Sequence, residues 1–469
     1  MDRDVFDLVI VGGGSAGFAA AIKAADLGAR VALAEARTLG GTCVNVGCVP
    51  SKTLLRAAEA QHRRTRHGFR GISSSDGRPD WSMVLAEKDA LVNQLRQTKY
   101  WDVLQAYPAV TLFAEQATLA GERLVRLASG PTLATKKVIV TTGASPWAPP
   151  IPGLAEAGFL DNASAMALAQ FPESLTVIGG SAVGLELAQM FARLGSRVTV
   201  LEALPHLVPA EDPDIADALA AFLQAEGLEV HAGVQLERVT RNQHGYGISF
   251  HTDGTSRLLH ADQLLVATGR RANTAGFGLD VSGVALGRKG EIVVNEYLQT
   301  SNGDVYAAGD VLGDPMFVYV AAYGGALAAE NALTGNARRY DLTAVPRVTF
   351  TDPAVAVVGL TAEQARAAGV EPIVTKLPLE HVPRSLAAHD TRGFVKLVAD
   401  AATRKIVGAH ILAGEAGEMI TEPALAIKLG LTIEDLTSLF HPYLTLSEGI
   451  KLAAQAFDTD LSKLSCCAA

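Results

Sequence analysis

Residues 8–36 read LVIVGGGSAGFAAAIKAADLGARVALAEA. A short β-branched run meets a glycine turn, a helix-period stretch closes on Leu-Gly, and a second strand ends on an acid. That order predicts a βαβ unit with the dinucleotide fingerprint. The first of Gly12, Gly14 and Gly17 allows the tight turn, the second lets a pyrophosphate approach the backbone, and the third lets helix pack on strand. Glu35 falls where an acid would hold a ribose hydroxyl. The same sentence is written again at residues 175–203, LTVIGGSAVGLELAQMFARLGSRVTVLEA. There Gly179 and Gly184 keep the outer glycine positions, Ser181 replaces the middle one, and Glu202 is the closing acid. One such turn is weak, because glycine turns between strand and helix are common. Two, with matched strands, helices and acids, point to a protein of two dinucleotides.

Working outward, three strand ends punctuate the chain: TTGA and ATGR at Gly143 and Gly269, and SNGDVYAAGD closing on Asp310. The proline-rich PWAPPIPG at 146–153 reads as a linker. After about residue 341, VTFTDPAVAVVG, GFVKLVAD and KIVGAHIL alternate like strands, and GEMITEPALAIKLG has the period of one helix. The expected class is α/β: two Rossmann-like dinucleotide-binding domains plus a C-terminal mixed α/β dimerisation domain. The divisions expected are 1–148 and 270–340 for the first domain, 149–269 for the second, and 341–469 for the third with its tail.

Composition limits what such a protein does. Its 469 residues are 49% hydrophobic and 19% charged, enough for sizeable cores. Lys+Arg 40 against Asp+Glu 49 gives a net charge of -9 with no basic block, so neither nucleic acid nor an anionic membrane is an expected partner. The longest nearly uncharged apolar run, residues 316–329, is too short to span a bilayer, and the acidic start running straight into a strand is not a secretory signal. A cytoplasmic location is expected. The four cysteines, Cys43, Cys48, Cys466 and Cys467, form no disulfide framework and no Cys-x-x-Cys, and fit redox or metal handling in a reducing compartment.

The segment GGTCVNVGCVPSK, residues 40–52, is the most specific signal. Two cysteines stand in a Gly-rich loop followed by Pro50 and a helix expected from Ser51. A helix N-terminus stabilises a thiolate, and Lys52 adds positive charge. On these motifs the chain resembles the pyridine nucleotide–disulfide oxidoreductase family over essentially its whole length. The resemblance implies that Cys43 is the interchange thiol and Cys48 the thiol facing a flavin. It implies that Lys52 lies near flavin N5 with Glu186 as ion-pair partner, and that Gly12, Gly14, Gly17 and Glu35 hold the FAD adenosine. Asp310 would hold the ribityl and pyrophosphate side. Gly41, Thr42, Gly143 and Gly269 are further cofactor-binding positions, and Gly179, Gly184 and Glu202 mark the NAD(P)H turn.

The C-terminal end selects among branches of that family. Disulfide reductases carry His-Pro-x-x-x-Glu there, the histidine serving as acid–base. In HPYLTLSEGIKLAAQ, residues 441–455, the residue five before Glu448 is Tyr443; His441 is two positions off. A phenol, titrating near about 10, is a poor acid for a departing thiol at neutrality. Tyr443 in its PYLT…EG…LAAQ context, and a tail ending LSKLSCCAA, resemble the mercuric reductases. That branch implies Hg²⁺ as substrate, arriving on Cys466 and Cys467 and passing to Cys43 and Cys48. It implies a homodimer whose sites are shared between chains, Tyr443 and the tail coming from the partner, with small-thiol adducts of Hg²⁺ as the delivered form. Soft thiolates suit such a metal.

Several readings stay open. A thioredoxin-reductase-like or dihydrolipoamide-dehydrogenase-like enzyme would use the dithiol but needs the histidine that Tyr443 displaces. A non-catalytic thiol metal-binding protein would have no use for Lys52, Glu186 or a nucleotide turn. His441 stands where an aromatic residue is expected and reads as a packed or partly exposed histidine, with an auxiliary acid or metal ligand as the other reading. The branch often carries an N-terminal metal-trafficking domain, and none is expected in this sequence. NADPH is the branch's usual nucleotide, yet Glu202 followed by ALPHLVPAED, which has no Arg or Lys, favours a free ribose hydroxyl. Use of both nucleotides is expected, with NADH unusually competent.

Overall fold

A computed structural model describes residues 5–75, 77–121 and 123–460. The chain divides into two compact units, one of residues 1–53, 82–148 and 269–341, the other of 54–81, 149–268 and 342–469.

The first unit is built on the first βαβ repeat. Strand Val5–Val11 pairs in parallel with Val31–Ala34 on one side and Thr132–Val140 on the other. Val110–Phe113 extends the sheet beyond Val31–Ala34, also in parallel. The long strand Thr132–Val140 has a divided outer edge. Its start pairs antiparallel with Leu124–Leu127, and its end pairs in parallel with Val305–Ala307, which brings the late segment ending in Asp310 beside the early glycine turn. These strands read as continuous apolar runs because both faces are covered. Leu8, Ile10, Leu33 and Ile139 are fully buried against Ala20, Ala24, Leu327 and Ala328 of helices Ser15–Asp26 and Val318–Thr334. Small residues let these helices meet closely: a Cβ on Gly325 would stand 2.0 Å from the Ala16 carbonyl oxygen.

The second unit repeats the arrangement. Strand Ser174–Ile178 lies between Arg197–Leu201 and Gln263–Val266, with Glu229–His231 outside, all parallel. The two repeats share their register: Leu8 faces Val31 and Val11 faces Ala34, as Leu175 faces Val198 and Ile178 faces Leu201. The Leu-Gly endings are left-handed helix stops, Gly28 at φ 81° and Gly195 at φ 118°. A three-stranded antiparallel sheet, Gln235–Asn242, Gly245–Thr252 and Thr255–Ala261, follows the second repeat. The C-terminal part is a five-stranded antiparallel sheet in the order Arg347–Thr349, Ala354–Gly359, Ile406–Ala413, Phe394–Asp400, Pro372–Pro378. Helix Glu448–Gln455 buries Ile450, Leu452 and Ala453 against it.

Two local expectations are corrected. The stretch at 417–430 is two helices, Ala416–Met419 and Thr421–Leu429. Pro423 has no N–H to return to the Met419 carbonyl, so the ladder is interrupted at Ile420. The cysteine segment is not a loop: Gly41–Val46 is a short helix, Gly47 breaks it, and the next helix runs Cys48–Thr65. Pro50 falls in that helix's first turn, where a missing N–H costs nothing. Among the described residues no helix is long and apolar enough to cross a membrane.

Candidate active site

The first turn is bare backbone by necessity. Gly12 adopts φ 110°, and a Cβ there would lie 2.4 Å from the Thr141 carbonyl oxygen. A Cβ on Gly17 would lie 1.8 Å from the Gly12 carbonyl oxygen, so the helix sits on the strand only because that atom is missing. Gly14 differs: a Cβ there would meet only the Gly41 Cα, at 3.6 Å. Its flank is open where the N-terminus of helix Ser15–Asp26 faces outward, which is how a helix takes a pyrophosphate. Glu35 closes the turn, its Oε2 accepting the Gly13 N–H at 2.6 Å and its Oε1 the Arg37 N–H at 2.7 Å. This cradle fits the adenosine half of a flavin dinucleotide.

The same unit carries the dithiol. Cys43 and Cys48 are both half-buried thiols, not joined in a disulfide. The hydrogen bond between the two thiols, and then burial, push the Cys43 thiol far up, while the Lys52 ammonium pulls it down. Cys48 opens helix Cys48–Thr65, where the dipole favours negative charge on sulfur. Lys52 lies one turn on. Asn45 fixes the short helix from within, its Nδ2 donating to the carbonyls of Leu39 at 3.1 Å and Gly41 at 2.8 Å while its Oδ1 accepts from Arg96 Nε at 2.7 Å.

Two functional candidates here were not read from the sequence. Arg270, the residue after Gly269 in ATGR, donates to the Ala144 carbonyl and reaches Thr42 Oγ1 at 3.5 Å. Its Nε is buried without a hydrogen-bond partner among the described residues, 4.0 Å from the Asp310 carboxylate. Burial pushes the Asp310 carboxyl above its usual range, and Arg270 opposes that shift. An unsatisfied buried donor beside Thr42 and Asp310 is what an absent polar ligand leaves behind. Tyr100 is the second. Its ring packs on Phe18 with centroids 4.8 Å apart, and burial pushes its phenol up, against a hydrogen bond from Ser15 that lowers it. Gly143 (φ 69°) and Gly269 (φ 115°) have open space where a side chain would be. Asn273 Nδ2 bridges to the Thr142 carbonyl at 2.9 Å.

The second unit holds the second turn. Gly179 adopts φ 114°, and a Cβ on Gly184 would stand 2.0 Å from the Gly179 carbonyl oxygen. Ser181 is the N-cap of helix Ala182–Leu194, with no capping bond from its hydroxyl. Glu186, in the first turns of that helix, is 5% exposed and accepts the Phe350 N–H at 2.9 Å. Gln189 and Arg193 continue the same face: Gln189 exchanges two 2.8 Å bonds with the Asp352 backbone, and Arg193 pairs with Glu226 at 2.6 Å and Asp352 at 2.9 Å. Glu202 is held like Glu35, through the Gly180 N–H at 2.6 Å and the Leu204 N–H at 2.7 Å.

The first unit thus gathers Gly12, Gly14, Gly17, Glu35, Gly41, Thr42, Cys43, Cys48, Lys52, Gly143, Gly269 and Asp310, and the second Gly179, Gly184, Glu186, Glu202 and Tyr443. Tyr443 is 60% exposed in the segment after Phe440, which is 96% exposed. His441 turns the other way. Its imidazole is 3% exposed with Nε2 2.8 Å from Glu422, whose hydrogen bond pushes the histidine pKa up. One oxygen of the buried Glu448 has no hydrogen-bond partner among the described residues. Cys466 and Cys467 lie outside the described residues.

Paired nucleotide turns, an adjacent dithiol and a C-terminal sheet domain define a dithiol oxidoreductase using flavin and a pyridine nucleotide. The chain belongs to the pyridine nucleotide-disulphide oxidoreductase family, matching its main domain over residues 6–325 and its dimerisation domain over 345–454. Among curated relatives it is 46% identical over 463 residues to a mercuric reductase of Staphylococcus aureus, covering 99% of this chain and 84% of that one. It is also 46% identical over 467 residues to a mercuric reductase of Streptomyces lividans, covering 99% and 98% of the two chains. Among solved structures it resembles the HOCl-induced flavoprotein disulfide reductase RclA of Escherichia coli, with 31% identity and a TM-score of 0.86 over 96% of this chain and 99% of the other.

Proposed function

We propose that this chain reduces Hg²⁺ to elemental mercury at the expense of a reduced nicotinamide nucleotide, in the balanced reaction NAD(P)H + Hg²⁺ → NAD(P)⁺ + H⁺ + Hg⁰. The observation that carries the reading is the pairing of a Cys43–Cys48 dithiol with tyrosine at 443, five before Glu448, where a disulfide reductase needs histidine. Full-length identity of 43–46% to mercuric reductases supports it. When bound, FAD supplies the two-electron relay between nucleotide and metal.

The chain's own groups do the rest. Gly12, Gly14, Gly17 and the start of helix Ser15–Asp26 cradle the flavin pyrophosphate, Glu35 takes the adenosine ribose, and Asp310 with Arg270 and Thr42 orients the inner half. Gly179, Gly184 and Ser181 do the same for the nicotinamide nucleotide. Cys43 exchanges thiol ligands on the incoming metal, and Cys48 at its helix N-terminus carries the thiolate that faces the flavin. Lys52 and Glu186 set the charge at that face. Cys466 and Cys467 receive Hg²⁺ from small-thiol adducts and hand it on. Two linear thiolate ligands suit a soft ion and release it by stepwise exchange.

The reading includes a homodimer in the cytoplasm. Leu439 (49% exposed), Phe440 (96%), Tyr443 (60%) and Leu444 (41%) form an apolar run within the dimerisation-domain match, the kind of patch that a partner covers. Each active site then takes Tyr443 and the tail from the partner.

The test is a substrate comparison. With excess small thiol, nucleotide oxidation is expected with Hg²⁺ and not with lipoamide, oxidised glutathione or thioredoxin. Faster turnover of any of these disulfides than of Hg²⁺ would return the chain to the disulfide reductases.

A further inference from the structure

The two nucleotide turns end on one carboxylate device, and only one kind of ribose fits it. Glu35 closes the first turn with Oε2 on the Gly13 N–H and Oε1 on the Arg37 N–H, at 2.6 and 2.7 Å. Glu202 closes the second with Oε2 on the Gly180 N–H and Oε1 on the Leu204 N–H, at the same 2.6 and 2.7 Å. The adenosine of FAD carries a free 2′-hydroxyl, a donor that a fixed carboxylate accepts. A 2′-phosphate is an anion of charge about −1.5 to −2 at neutrality, which the same carboxylate repels. Accepting it takes a cation nearby, and the second turn is poorer in cations than the first. Where Arg37 follows Glu35, Leu204 follows Glu202, and residues 203–212, ALPHLVPAED, hold no Lys or Arg. The one base there, His206, has its Nδ1 3.4 Å from Asp217, and His231 on the neighbouring strand has its Nε2 2.8 Å from Glu229.

From this internal repetition we infer that Glu202 is a specificity-determining residue and that NADH, not NADPH, is the nucleotide this chain is built for. The inference rests on reading the second turn as the nucleotide site. It departs from a simple use of both nucleotides, because the structure gives the second carboxylate the same geometry as one that never meets a 2′-phosphate.

Calorimetric titration of the FAD-loaded protein with NAD⁺ and NADP⁺ reads the discrimination without turnover, and kcat/KM for NADH and NADPH reads it again in catalysis. NAD⁺ is expected to bind at least tenfold more tightly than NADP⁺, with the same order in kcat/KM. Glu202→Ala should erase most of that ratio. Leu204→Arg, at an exposed position, should raise NADP⁺ affinity severalfold without touching the carboxylate. Equal or tighter NADP⁺ binding by the unaltered protein overturns the inference, as does a Glu202→Ala protein that retains its FAD and an unchanged ratio. Tight, selective NAD⁺ binding without Hg²⁺ reduction would sink the proposed reaction and leave the specificity standing. Binding of neither nucleotide would remove the second turn as a nucleotide site, and this inference with it.

Discussion

Replacing Gly17 or Gly184 by alanine separates the two turns. In each case the new methyl carbon would stand 1.8 or 2.0 Å from a backbone carbonyl oxygen, of Gly12 or Gly179 respectively. Carbon and oxygen approach no closer than about 3.3 Å, so each helix must retreat from its strand by more than 1 Å. Overpacking of this kind costs about 1–3 kcal/mol. It also carries the helix N-terminus off the phosphate it should hold. If about 2 kcal/mol of this is charged to binding, affinity falls about 30-fold. Gly17→Ala is expected to strip FAD while leaving the second turn intact, and Gly184→Ala to keep FAD while weakening the nicotinamide nucleotide. Gly14→Ala makes only an ordinary 3.6 Å contact with Gly41. It should lower FAD affinity by obstructing the ligand's path, with no loss of folding. Flavin absorbance per chain after gel filtration and nucleotide titration read the two effects independently. Full FAD content in Gly17→Ala, or FAD loss confined to Gly184→Ala, would refute the assignment of the turns.

Other expectations follow from the same geometry. Two-electron reduction should produce a long-wavelength thiolate-to-flavin absorption that Cys43→Ala retains and Cys48→Ala loses; the opposite pattern would exchange the roles of the two thiols. Glu226→Leu leaves Arg193, 5% exposed, with Asp352 as its remaining carboxylate among those described. It should cost about 1–3 kcal/mol, read as a lowered urea midpoint, and an unchanged midpoint would show that Asp352 alone holds the charge. Because Glu422 raises the His441 pKa, the pair's stabilisation is full below the unfolded value of about 6.5 and fades as pH rises through the folded one. Thermal midpoints of the unaltered protein and Glu422→Gln should therefore converge toward alkaline pH, and a constant gap would contradict the pairing. Finally, a Cys466→Ala/Cys467→Ala chain mixed with a Cys43→Ala/Cys48→Ala chain gives dimers with one complete site if tail and loop come from different chains. Activity on thiol-bound Hg²⁺ should reappear, and inactive heterodimers, verified by native mass spectrometry, would remove the shared arrangement.

The nucleotide turns were legible because their constraints are local: a glycine that must lack Cβ, a helix period, an acid at the strand's end. The same locality misled at the cysteines, where Gly40-Gly41 and Pro50 look like helix breakers, but Gly40 is an N-cap and Gly41 and Pro50 occupy first turns, in which neither breaks anything. Arg270 stood in plain view in ATGR, yet nothing in its spacing tells that it reaches Thr42, Ala144 and Asp310. Asn45 tying the dithiol helix to Arg96, and His441 buried on Glu422, depend equally on contacts across many residues. Periodicity reports which face is buried, not which distant polar group waits there.

The most direct measurement of the central claim is the product itself. Purified protein, NADH, Hg²⁺ and excess small thiol in a sealed cell should release one elemental mercury atom per nucleotide oxidised, and Cys43→Ala should release none. Nucleotide oxidation with no mercury vapour, or with electrons recovered in a reduced disulfide instead, would contradict it.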